Sequence, residues 1–123
     1  MTNEADVSRL IRLEAAAKGI LLWRNNVGAL RDTTGRWVRY GLANDSAAVN
    51  KQIKSADFIG IRRVTVTQEM VGMIIGQFVS REIKEPGWKY HPSDMREIAQ
   101  DRWARLVNGH GGDAAFATGE GTL

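Results

Sequence analysis

Two runs of β-favouring residues, Phe58 to Val66 and Met73 to Lys84, set the strongest limit on how this chain can fold. The polar Thr67-Gln68-Glu69 and Gly72 lie between them, so the pattern predicts the two arms of a long antiparallel hairpin. The second arm closes on Glu82-Ile83-Lys84. Positions i and i+2 of a strand point to one face, so a carboxylate and an ammonium emerge side by side at a strand end. The first arm opens on a further carboxylate, Asp57.

The elements around this pair follow from periodicity and punctuation. Asn3 to Lys18 reads as a helix, capped by Thr2 or Asn3, with Glu4 and Asp6 in its first turn and Gly19 ending it. Val7, Leu10, Ile11 and Glu14 share one face of it. Ile20 to Trp23 and Arg36 to Tyr40 read as short strands, and Asn44 to Ser55 as a loop with a helical turn. Pro86-Gly87 breaks the second arm. Ser93 is the expected cap of a last helix to about Asn108, with Met95, Ala99, Trp103 and Leu106 on one side. Ala114 to Ala117 is a final short strand. The order predicts an α/β layered domain with a mixed sheet, a single domain over residues 1–123.

Composition narrows the class. With 43% hydrophobic residues the chain can build a core, and no window approaches the ~20 apolar residues of a membrane span. Met1 to Asp6 is polar and acidic, unlike a secretory signal, and cysteine is absent. Both features fit a cytoplasmic protein, and the second excludes thiolate metal sites and a Cys nucleophile. Net charge is +3, and 12 of the 17 basic residues are Arg, the side chain suited to bidentate phosphate contact.

Asp57, Glu82 and the Ile83 backbone carbonyl are hard oxygen donors of the kind Mg²⁺ or Mn²⁺ takes. A cation there could activate water and stabilise charge on a phosphate, with Lys84 positioning that water or neutralising the phosphorus centre. A surface Glu-Lys pair and a turn-forming Asp would give the same letters.

Ser55-Ala56-Asp57-Phe58-Ile59-Gly60, followed by Phe78 to Gly87 around Glu82-Ile83-Lys84, resembles the core of the PD-(D/E)XK nucleases, and more narrowly the VRR-NUC (virus-type replication-repair nuclease) branch. Trp23-Arg24-Asn25-Asn26-Val27-Gly28, Gln100 and Gly111-Gly112 extend the likeness from Glu4 to about Thr118. The lead into the Asp departs from the branch, being Lys54-Ser55-Ala56 where Gly and Pro are usual. The resemblance implies a restriction-endonuclease-like α/β/α core, a central mixed β-sheet flanked by helices. It implies metal-dependent DNA cleavage by Asp57, Glu82 and Lys84, with Gln100 lining the site. It also implies DNA-backbone contact by Arg24, Asn25 and Asn26. Stand-alone members resemble dimeric junction resolvases, which leads to the expectation of a homodimer acting on branched DNA in a bacterial cell or phage-infected host.

Such enzymes add a carboxylate from the first helix. Glu4 and Glu14 lie about 15 Å apart along that helix, so one cation cannot take both. Periodicity favours Glu14, whereas the family pattern of Glu, then Ser or Gln, then Ile favours Glu4 in Glu4 to Ile11, and Glu4 is the expectation adopted. Lys54 and Trp88, the latter just beyond the Glu-x-Lys, join the expected DNA contacts, while Arg36, Arg39, Lys51, Arg62 and Arg63 rank lower because charged runs are usually solvated faces. His91 and His110 have no ligand partner at helical spacing, and there is no phosphate-loop motif, so zinc chemistry and a nucleotide cofactor are not expected. The alternatives are a silent DNA-binding module on the same fold and a restriction-like or single-strand nuclease.

Overall fold

Helix α1 (Glu4–Lys18) begins, in the computed structural model that describes residues 3–123, at a reciprocal cap. The Asn3 side chain accepts the Asp6 N–H at 2.9 Å, and the Asp6 carboxylate takes the Asn3 N–H in return. The alternative cap, Thr2, lies outside the described residues. Gly19 ends the helix in the left-handed region at φ 68°. The expected inward stripe is not covered: Val7, Leu10 and Ile11 are exposed, and Ala15 is the buried residue of α1.

The chain divides into two compact units, Met1–Gly60 and Ile61–Leu123. In the first, α1 packs on β1 (Leu21–Arg24). Next come β2 (Gly28–Arg31) and β3 (Trp37–Tyr40), an antiparallel pair with Gly28 opposite Tyr40 and Arg31 opposite Trp37. Strand β2 is not foreseen from the sequence. Its turn is built by Asp32, whose carboxylate takes the N–H of Thr34 and of Arg36 and the Thr34 hydroxyl. Helix α2 (Ala47–Gln52) is capped by Ser46, and β4 (Phe58–Ile61) pairs with β1.

The second unit corrects the long hairpin. β4 ends at Ile61, and residues 62–78 carry no strand, only a short 3-10 turn at Gln68–Met70. Val64, Val66, Met73, Ile74 and Ile75 are exposed there. β5 (Val79–Ile83) pairs instead with β6 (Asp113–Ala117), in parallel, with Glu82 opposite Phe116. A parallel pair needs a crossover of a dozen or more residues. Helix α3 (Met95–Gly109) supplies it and packs on β6. The class is thus mixed α/β, with three α-helices and three two-stranded sheets, β1–β4, β2–β3 and β5–β6, among the described residues. No helix among the described residues is long and apolar enough to cross a membrane.

Two details of α3 differ from expectation. Its cap is Asp94, one residue later than Ser93, with a carboxylate that accepts the Arg96 N–H at 2.9 Å and the Glu97 N–H at 3.2 Å. Its inward stripe is Glu97, Gln100, Ala104 and Val107, with Glu97 and Val107 buried and Met95 exposed. The stripe keeps helical spacing but includes two polar residues, because each has a partner on the neighbouring segment.

The Glu97 N–H first, and the Arg96 N–H with it, hold the Asp94 carboxyl below its ordinary range. A group whose folded pKa is depressed stabilises the fold above its unfolded pKa, and that contribution is lost as pH falls through the folded value. Far-UV circular dichroism of the wild type should therefore show α3 holding from neutral pH into the ordinary carboxylate range and weakening below it. Asp94→Asn, which caps without titrating, should flatten that acid-side dependence.

Candidate active site

In the first unit, β1 runs out at Arg24 and β4 starts after Asp57, so both residues sit at strand ends. Asn25 ties these ends together. Its N–H donates to the Asp57 carbonyl at 2.8 Å, and its side-chain Nδ2 donates to Ser55 Oγ and to the Ala56 carbonyl, each at 2.8 Å. Its Oδ1 accepts the Leu42 N–H at 3.2 Å. The amide expected to touch DNA is thus spent on shaping the turn that presents Asp57. That turn reads Lys54-Ser55-Ala56, and the Asn25 clasp holds it.

The Asp57 carboxylate is exposed and lines a cavity of about 490 Å³ with Glu4, Ser8, Arg9, Arg12 and Arg24. Arg12 and Arg24 lie over the Phe58 ring, 5.1 and 5.5 Å from its centroid. Glu4 therefore shares a cavity with Asp57. Glu14 instead pairs with Lys18 at 2.7 Å and does not line that cavity. Asn26 is exposed beside Asn25. Lys54 is turned back onto Asn50, 2.7 Å from its Oδ1. Arg39 is exposed but engaged, its Nη1 donating to the buried Asn44 at 2.8 Å.

In the second unit, Glu82 and Lys84 leave the β5 edge half-buried, while the Ile83 side chain between them is exposed. Gln100 Nε2 donates to Glu82 Oε1 at 2.7 Å. A carboxylate only accepts, which fixes the amide orientation and turns Gln100 Oε1 away from Glu82. That Oε1 is buried and accepts no hydrogen bond from the described residues. Glu82 and Gln100 line a cavity of about 300 Å³ with Ser80, Arg96 and Trp103. Lys84 lines a different one, of about 650 Å³, with Trp88, Lys89, His91 and Glu97.

These groups suit a hard divalent cation by their chemistry. Glu4 and Asp57 in the first unit, and Glu82 in the second, are carboxylates, the hard oxygen donors such a cation takes, and a cation of this type keeps part of its water shell, which offers donors to an acceptor such as Gln100 Oε1. Among the described residues no three acidic or histidine side chains form such a cluster by themselves.

Several residues at these sites were not singled out by sequence. Phe116 lies under Lys84, with Nζ 5.8 Å from its centroid. Arg81 is held by Asp113, to which it donates at 2.8 and 2.9 Å. Glu97 is buried against His91. The signal for Glu97 was present, since it stands three residues before Gln100 on the same stripe. Compared with known proteins, the chain matches no family model, no curated protein and no solved structure.

Proposed function

We propose that this chain is a Mg²⁺- or Mn²⁺-dependent endodeoxyribonuclease of the VRR-NUC type, with the restriction-endonuclease-like α/β/α core that type carries. The observation that carries the proposal is the Gln100–Glu82 hydrogen bond. Two residues picked from distant parts of the sequence for one task lie side by side, with Lys84 directly after the end of the strand that carries Glu82. The shared cavity of Glu4 and Asp57 supports it further.

By the family resemblance the cation's oxygen donors would be Asp57 and the helix carboxylate Glu4 in the first unit, and Glu82 and the Ile83 carbonyl in the second. The cation, when bound, lowers the pKa of water and offsets charge on the phosphate. Gln100 holds the Glu82 carboxylate in one orientation. Lys84 places an ammonium where negative charge builds on the phosphoryl oxygens. The attacking water gives a proton to bulk solvent and forms the new P–O bond as the bond to the departing sugar oxygen breaks, and that oxygen takes a proton from solvent. Arg12 and Arg24, which line the cavity of Asp57, would meet backbone phosphates, with Asn26, Lys54 and Trp88 as further contacts. We propose a homodimer, which would present two such centres to the two symmetric strands of a four-way junction, in the cytoplasm of a bacterial or phage-infected cell.

The test incubates the protein with labelled four-way junction, flap and linear duplex DNA, with Mn²⁺ and then with EDTA. Junction cleavage that stops with EDTA is expected. Glu4→Gln should lower it about 10²-fold or more, while Glu14→Gln should leave it within a few-fold. Cleavage in EDTA would overturn the cation's part, and binding without cleavage would make the chain a silent DNA-binding module. Equal rates on duplex and junction would remove the branched-DNA preference alone.

A further inference from the structure

The Lys84 ammonium does not end in open solvent. Nζ lies 5.5 Å from the Trp88 ring centroid and 5.8 Å from that of Phe116. The two rings lie against each other, centroids 4.6 Å apart, and Tyr90 stands 6.4 Å from Trp88 and 6.3 Å from Phe116. The negative face of an aromatic ring attracts a cation, so this shelf favours one position of the lysine tip. Phe116 is fixed by β6. Trp88 is not on a helix or strand, and its segment turns at Gly87 with φ 82°.

The hold on that segment comes from α3. Glu97 is buried, and its carboxylate accepts the His91 N–H at 3.1 Å and lies 2.9 Å from His91 Nδ1. As the third residue of the helix it reaches back in the manner of a capping box, but past its own cap Asp94 to a residue farther upstream. A buried carboxylate is tolerated only when it is well partnered, and His91 is the partner here. Neither residue has a part in the cleavage chemistry set out above.

We propose that Glu97 is a positioning residue. By gripping His91 it fixes the Pro86 to His91 segment, so that Trp88 and Phe116 together form the shelf that holds the Lys84 ammonium. The task given to Lys84 rests on the proposed nuclease function, whereas the shelf does not.

The shelf can be read without DNA or metal. In protein labelled with ¹³C-lysine, the ε-methylene signal of Lys84, assigned by its disappearance in Lys84→Ala, should lie upfield of the signals of Lys18, Lys51, Lys54 and Lys89 through ring currents. Trp88→Ala should abolish that shift. Glu97→Ala should abolish most of it with the circular dichroism spectrum retained, and Glu97→Gln, which keeps an acceptor for the His91 N–H, should restore part. If Glu97→Ala does not fold, His91→Ala is read in its place and should lose part of the shift. An unshifted Lys84 in the wild type overturns the proposal. So does a full shift in folded Glu97→Ala, or in His91→Ala if that is the variant read. On a cleaved substrate, Glu97→Ala should lower kcat about 10–100-fold with KM nearly unchanged. A wild type that cuts no DNA defeats the nuclease function and leaves the lysine signal to decide the shelf.

Discussion

Replacing Lys84 by alanine is expected to lower phosphodiester cleavage by about 10²–10³-fold while leaving the fold in place. The side chain is half-buried and lies over two rings, so its loss removes an ammonium and a few methylenes without opening the core. Stability should change by about 1 kcal/mol or less, the scale of a partly exposed cation–π contact. Affinity for DNA, on the proposed function, should fall little, because one of 17 basic side chains is lost. A large loss of rate with small losses of stability and affinity marks a group that acts in the transition state. Lys84→Arg should recover only a fraction, since a planar guanidinium on a longer stem cannot place one compact charge at the same point. Single-turnover cleavage of labelled junction, with thermal melts and a binding isotherm for each variant, checks all three expectations. A Lys84→Ala rate within threefold of wild type would remove the lysine from the chemistry.

Local signals in the sequence were reliable where one short segment decides the outcome. The α1 cap at Asn3 and its stop at Gly19, the strand through Leu21 to Trp23 and the final strand through Ala114 to Ala117 are all where the pattern puts them. What failed was pairing. The pattern predicts strands over Phe58 to Val66 and Met73 to Lys84, of which Phe58–Ile61 and Val79–Ile83 form, and it does not say which neighbour completes each ladder. The β5 partner lies beyond a whole helix, and the Phe58 run loses its strand at Arg62-Arg63. The rotation of α3 was missed for a related reason. Met95, Ala99, Trp103 and Leu106 form an apolar stripe, yet the stripe that turns inward carries Glu97 and Gln100. Hydrophobicity cannot identify a polar side chain that is buried because a specific partner, His91 or Glu82, awaits it. At these positions sequence named Glu82, Lys84, Gln100 and, as a DNA contact, Trp88, but not Phe116, the other ring of the aromatic floor, which comes from a separate segment.

Gly60→Ala is expected to be the most damaging small substitution in the first unit, destabilising it by about 3 kcal/mol. A Cβ at Gly60 would overlap the Leu21 carbonyl oxygen and stand 2.9 Å from the Leu21 carbonyl carbon and 3.0 Å from Leu22 Cα. All three are backbone atoms of β1, the partner strand of β4, so no side-chain rotation relieves the clash. The strands must separate or slide, and either movement disturbs the Asn25 N–H to Asp57 carbonyl hydrogen bond at the other end of this short pair. The effect therefore reaches function: the turn that presents Asp57 to the Glu4 cavity loses its anchor, and cleavage should fall by more than the loss of folded protein accounts for. The melting temperature should drop by about 10 °C, at the few degrees per kcal/mol usual for a domain of this size. Gly109→Ala is the control. Nothing lies within 4 Å of a Cβ there, and the residue closes α3 without a positive φ, so alanine should be neutral or should raise the melting temperature slightly. Opposite signs for the same chemical change at two glycines would tie the Gly60 effect to the close β1–β4 approach. Equal, small effects at both positions would overturn it.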